Sequence, residues 1–279
     1  MRRPVVVMED LMEAVAMHRG LEVLDVDMAE VASLGPGLLA RTVTGLQQVW
    51  LWNTDLTCQQ AEAILTAIQD PGSQLRVLHM GGNSELSSVD PGLLAGAASR
   101  LEDLMVWGKQ LTSQQAEAIL TAVCGSTKMR QLSIRYTSLS LLEPELLARS
   151  LISVISVDLR NTQLTSQQVK SILKAITSSS KLKKLNIGGN KMSSVDPGLL
   201  ANAVNRLENV TLGHRRGWHF SSLTREQAEA ILNQSLVNTH LKRMDMGVVT
   251  GWVDQTLVTK ARHVIKHLDL EFDEIYQLD

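Results

Sequence analysis

One pattern of apolar and polar positions recurs along the chain: an apolar residue, two of any kind, an apolar one, one of any kind, and an apolar one. It reads LEVLDV from Leu21, LQQVWL from Leu46, LRVLHM from Leu75, LEDLMV from Leu101, MRQLSI from Met129, VISVDL from Val154, LKKLNI from Leu182, LENVTL from Leu207, LKRMDM from Leu241 and IKHLDL from Ile265. The alternation inside each frame is that of a short strand with one face in a core. Ten frames therefore predict ten strands, starting 24 to 34 residues apart.

Each frame is followed by a helix signal, and the signals come in two alternating kinds. In the first, Asp90-Pro91 and Asp196-Pro197 place a side-chain acceptor before a proline at the first helical position, and Gly35-Pro36 and Glu143-Pro144 fill the same slot less well. In the second, Thr57 with Gln60, Thr112 with Gln115, Thr165 with Gln168 and Thr224 with Gln227 fit a capping box. The apolar positions Ala61, Ile64, Leu65 and Ile68 then give a helical face that can pack on the strands. Whole stretches repeat: SSVDPGLLA stands at 87–95 and 193–201, and 56–67 differs from 111–122 at a single position. Such self-similarity predicts a tandem array, one elongated domain without a linker.

A strand, a loop, a helix and a return in 24 to 30 residues is the period of a leucine-rich repeat. The residues also resemble that family: LKKLNIGGNKM from Leu182 is similar to its LxxLxLxxNxL consensus. The helical half and the alternation of two unit types resemble the ribonuclease-inhibitor-like class, which also supplies the C-terminal arrays of intracellular nucleotide-binding, leucine-rich-repeat (NOD-like) receptors. Thr54 and Thr162 depart from it, standing where Asn is usual. The resemblance implies an α/β solenoid, a curved horseshoe with parallel strands on the concave face and helices on the convex one. Ten strands at about 4.8 Å spacing would make a sheet roughly 43 Å across. Residues 1–20 read as a capping helix or partial repeat, 21–264 as about nine tandem repeats, and 265–279 as a terminal strand with an acidic cap.

Composition changes the picture in one respect. Aromatic residues are scarce, with five Trp, two Tyr and two Phe in 279 residues, so the core must be aliphatic and the tryptophans are free for other work. In every frame the third, fifth and seventh residues point away from the core. Those positions bring Trp50, Trp52, Trp107, His79 and Met105, with the eighth-position Tyr136, onto neighbouring strands. Exposed indoles suit a binding hot spot; rings that merely stack and shield the sheet, or a shifted register that turns them into the core, are the alternatives. Trp52 and Trp107 lie two strands apart, about 10 Å, with Gly81 between them, which predicts a cleft. Arg135, Asp158 and Arg160 mark a polar continuation. An insertion after Leu212 carries Arg215, Arg216 and Trp218, a loop that either binds an acidic or phosphate group or staples onto Trp252.

Charge and motifs narrow the classes. With 27 Lys and Arg against 29 Asp and Glu the net charge is −2, which gives no footprint for nucleic acid. No phosphate loop, HExxH, GxSxG or CxxC occurs, so neither an enzyme, a cofactor nor a metal site is expected. The run after Met1 is too short for a secretory leader and no stretch is apolar enough for a membrane span, which together with Cys58 and Cys124 read as free thiols predicts a cytoplasmic protein. The resemblance implies an interaction module for a protein or microbial ligand, sensing or autoinhibitory in innate-immune signalling, as a fragment or a stand-alone relative. A stoichiometric inhibitor similar to ribonuclease inhibitor, and a GTPase-activating accessory using Arg135 or Arg160, are the rival implications.

Overall fold

The structure, a computed structural model, describes residues 8–18, 20–28, 31–108, 111–178, 180–213, 223–237, 240–250 and 253–272. Contacts divide the chain into two compact units, Met1–Ser133 and Ile134–Asp279. In the first, helices α1 (Met8–Met17), α2 (Pro36–Thr44), α3 (Cys58–Gln69), α4 (Pro91–Arg100) and α5 (Ser113–Gly125) alternate with strands β1 (Val23–Asp27), β2 (Gln48–Trp52), β3 (Val77–His79), β4 (Asp103–Met105) and β5 (Gln131–Ser133). The strands pair in chain order, all parallel and without slippage. The second unit holds α6 (Pro144–Leu151), β6 (Ser156–Asp158), α7 (Ser166–Ser178), β7 (Lys184–Asn186), α8 (Pro197–Val204), β8 (Asn209–Thr211), β9 (Leu223–Thr224), α9 (Arg225–Ser235), β10 (Arg243–Thr250), α10 (Gln255–Val264) and β11 (His267–Phe272). Its sheet runs β6-β7-β8-β10-β11, again parallel, with β9 alongside the far end of β10.

The alternation of the frames is the alternation of burial. Leu78, Leu104 and Leu132 at the fourth position and Met80 and Val106 at the sixth are buried, and they meet a helix layer whose Ile64, Leu65, Ile119 and Leu120 are also buried. The two unit types differ in helix length. After a proline cap the helices α2, α4, α6 and α8 have 9, 10, 8 and 8 residues, whereas after a capping box α3, α5, α7 and α9 have 12, 13, 13 and 11. About one extra turn, roughly 3.6 residues, accounts for the longer period. Asp90 and Asp196 accept from the backbone N–H groups of Leu93 and Leu199, while Gly35 and Glu143 supply no side-chain cap. Met12 and Val15 of α1 are buried, and Met12 O accepts from Thr42 Oγ1 of α2.

The capping glutamines do more than cap. Gln115 Oε1 accepts from Thr112 N at 2.9 Å, while its Nε2 donates to Leu86 O and Val89 O of the preceding repeat at 2.7 and 2.6 Å. Gln60, Gln168 and Gln227 make the same bonds to Val31 and Leu34, Leu139 and Leu142, and Met192 and Val195. Each is 1% exposed. One amide thus seals a helix start and ties it to the turn of its neighbour.

A second ladder runs through the asparagines. Asn83 Oδ1 accepts from Thr54 N, Thr54 Oγ1 and Leu56 N at 3.0, 3.2 and 3.1 Å, and its Nδ2 donates to Leu51 O and Met80 O, both at 2.9 Å. Asn190 does the same toward Thr162, Leu164, Leu159 and Ile187. Thr54 and Thr162, which depart from the consensus, are fully buried; the Thr54 hydroxyl donates into the asparagine of the next repeat, whereas the Thr162 hydroxyl makes its shortest bond to Leu159 O, at 2.7 Å.

At the second frame position of three neighbouring repeats stand Lys183, Glu208 and Lys242, charges of alternating sign. Glu208 is bridged by Lys183 at 2.9 Å and by Lys242 at 2.7 Å, and these hydrogen bonds hold its carboxyl down from 4.5 to about 2. A carboxyl depressed in the folded state contributes stability that is complete above pH 4.5 and is lost as pH falls toward about 2. An NMR titration of Glu208 should therefore show a midpoint near 2 that climbs toward 4.5 in molar salt, where screening acts within about 3 Å.

Candidate functional site

In-register pairing sets out the exposed face of the first unit in rows. The middle row is Asp25, Trp50, His79, Met105 and Ser133, and the row before it is Val23, Gln48, Val77, Asp103 and Gln131. The row after it starts with Asp27 beside Trp52 and continues, through the bonds Asn53 N to Gly81 O and Gly82 N to Trp107 O, to Gly81 and Trp107.

The rings in these rows touch. Trp50 stacks on His79 with centroids 5.8 Å apart and 11° between planes, Trp52 meets His79 edge-on at 5.1 Å, and Trp52 leans on Trp107 at 6.1 Å. The cleft expected between Trp52 and Trp107 is closed. Its cause is Gly81: a methyl there would coincide with Nε1 of Trp107, so the indole has dropped into the space that a side chain would take and reaches its neighbour. The face is a continuous aromatic plate. His79 Nε2 lies 3.2 Å from Asp103 Oδ1, close but poorly aligned, and Asp103 Oδ2 accepts from Gln131 Nε2 at 3.0 Å. Trp50 Nε1, His79 Nδ1 and Ser133 Oγ are hidden from solvent and find no hydrogen-bond partner among the described residues. Buried polar groups are rarely left so.

The remaining predicted residues fall in the second unit. Asp158 takes Arg160 in a fork, with Nη2 at 2.7 Å and Nε at 3.1 Å, and Arg135 Nε lies 3.9 Å from the same carboxylate. The bond to Asp158 pushes Arg160 up from its ordinary value, whereas burial pulls Arg135 down; both stay charged at neutral pH. Tyr136 N donates to Arg160 O at 3.1 Å. Beyond them the seventh position is glycine in three successive frames, Gly188, Gly213 and Gly247, and side chains at the first two would run into neighbouring backbone. Arg215, Arg216 and Trp218, with Trp252, lie outside the described residues. Cys58 and Cys124 are free thiols.

The eighth frame position is left-handed in six frames: Met28, Asn53, Gly82, Tyr136, Asn161 and Gly189 have φ of 52°, 48°, 81°, 60°, 55° and 78°. Glycine and asparagine suit it; a tyrosine is strained there by about 1 kcal/mol. Tyr136 is also 37% exposed. Tyr136→Asn is expected to raise the unfolding free energy by roughly 0.5–1 kcal/mol, read as a higher melting temperature; a fall would show that the ring's contacts outweigh the strain.

Asp25, Asp27 and Asp103 were the signal that a list of aromatic residues passes over, since the same alternation puts them on the same face. Among the described residues no helix is long and apolar enough to cross a membrane, and no group of three His, Cys, Asp or Glu is placed to hold a metal ion.

No protein-family model matches the sequence, and no curated protein matches it. Solved structures do. The leucine-rich repeat-containing protein LegL7 from Legionella pneumophila superposes with a TM-score of 0.51 at 16% identity, over 93% of this chain and 86% of that one. A leucine-rich-repeat protein of Leptospira interrogans gives 0.50 at 14% identity, over 98% of this chain and 67% of that one. At such identities the likeness establishes the fold, a leucine-rich-repeat solenoid, in agreement with the strand and helix order described above.

Proposed function

We infer, for a chain folded as a leucine-rich-repeat solenoid, that it is a protein-binding module whose partner seats on the exposed sheet face of the first unit. One observation carries the reading: Trp50, Trp52, Trp107 and His79 lie together on the face turned away from an aliphatic core that does not use them. Such residues bury much area at little rotamer cost. The mechanism is surface complementarity. Within it, the alternation of unit types and its resemblance to the ribonuclease-inhibitor-like class support a sensing or autoinhibitory role in intracellular innate-immune signalling.

A second reading is a stoichiometric inhibitor of an enzyme. It is favoured by the three carboxylates Asp25, Asp27 and Asp103 on the aromatic face, which suit a basic target. The GTPase-accessory reading would draw on Arg135 or Arg160, and Asp158 already competes for both.

The test is oxidative footprinting of a complex between this chain and whatever protein it captures from extract. Trp50, Trp52 and Trp107 should be protected in the complex. Equal oxidation of all three with and without the partner overturns the reading, and an assay of the captured protein's own activity separates inhibitor from sensor.

A further inference from the structure

We propose that the group this face receives is an arginine side chain of the partner, its guanidinium laid over the indole of Trp52 with Asp27 and Asp25 as counter-charges. The proposal rests on the preceding reading and names the chemistry of the occupant.

The argument is charge complementarity at one place. At the third and fifth positions of the five frames that start in the first unit, and at the seventh position of the first four, stand Asp25, Asp27 and Asp103 and no lysine or arginine; the seventh position of the fifth frame, Arg135, belongs to the second unit. Asp25 pairs in register with Trp50 and Asp27 with Trp52, so each of these tryptophans has an aspartate opposite it on the adjacent strand, the two backbones about 4.8 Å apart. Both of these aspartates are exposed. Asp103, by contrast, is occupied: it lies against His79 and accepts from Gln131. The two carboxylates with room for a partner's cation are therefore those beside Trp50 and Trp52.

The rings add a direction. Trp52 already rests on His79 on one side and on Trp107 on another, so what it can offer a ligand is its outer face, where the negative lobe of the ring attracts a cation. A planar guanidinium stacks there and pairs with a carboxylate at once, which an ammonium does with less geometric fit.

The experiment uses the full chain and three synthetic probes, a tetra-arginine peptide, its tetra-citrulline counterpart and a tetra-glutamate control, with tryptophan fluorescence as the readout. Citrulline keeps the shape of arginine and removes the charge. The arginine peptide should bind on the order of tenfold tighter than the citrulline peptide, the glutamate peptide should not bind, and the advantage should shrink in molar salt. The double variant Asp25→Asn, Asp27→Asn, whose exposed side chains leave the core untouched, should lose that advantage while unfolding like the wild type. Equal binding of arginine and citrulline peptides, absence of binding by either, or an advantage that survives in the double variant each overturns the proposal. Protection of the indoles by a captured protein alongside any of those results would leave the binding face standing and remove only the arginine.

Discussion

Replacing Asn83 by alanine is expected to lower the unfolding free energy by about 3–5 kcal/mol, among the largest effects any single substitution can have in this chain. The side chain is 3% exposed and makes five hydrogen bonds, three accepted and two donated. Alanine would leave the N–H groups of Thr54 and Leu56 and the carbonyl of Leu51 buried without that partner, at roughly 1–3 kcal/mol each before relaxation. Thr54→Val is the control, because it removes one hydroxyl from the same ladder and should cost only about 1 kcal/mol. Urea unfolding of the two variants beside the wild type checks the ordering. Equal losses would mean that the asparagine does not tie the repeats together.

The strand frames, the proline and threonine caps and the burial of Ile64 or Leu104 were legible from spacing, because each depends on residues close in sequence. The second role of the glutamines was not. Gln115 reaches carbonyls 29 and 26 residues back, and nothing in the local pattern marks Leu86 and Val89 as acceptors. The candidate site was legible as a set of positions: period two places Trp50, Trp52, His79 and Trp107 on one face without any knowledge of contacts. Its closure was hidden, since strand spacing fixes the distance between backbones and not between rings, and Gly81 lets an indole fall sideways. The left-handed eighth position shows in Gly82, Gly189, Asn53 and Asn161 but is disguised by Met28 and Tyr136. The loop carrying Arg215, Arg216 and Trp218 lies outside the described residues and stays an expectation of the sequence.

The second large effect concerns binding. Trp52 and Trp107 form the centre of the aromatic plate and are each only part-buried in the free chain, so a partner that covers them gains area that the core does not claim. Losses of about 2 kcal/mol or more on truncation are usual for such residues. Their neighbours in the plate, Trp50 and His79, remain to hold the sheet face together, so the variant should keep the fold.

The most direct measurement is the dissociation constant of the captured partner for the wild type and for the double variant Trp52→Ala, Trp107→Ala, taken after circular dichroism has shown both to be folded. A binding face centred on the indoles predicts a loss of about 100-fold or more. An unchanged constant would contradict it, and the aromatic plate would then be nothing more than a cover over the strands.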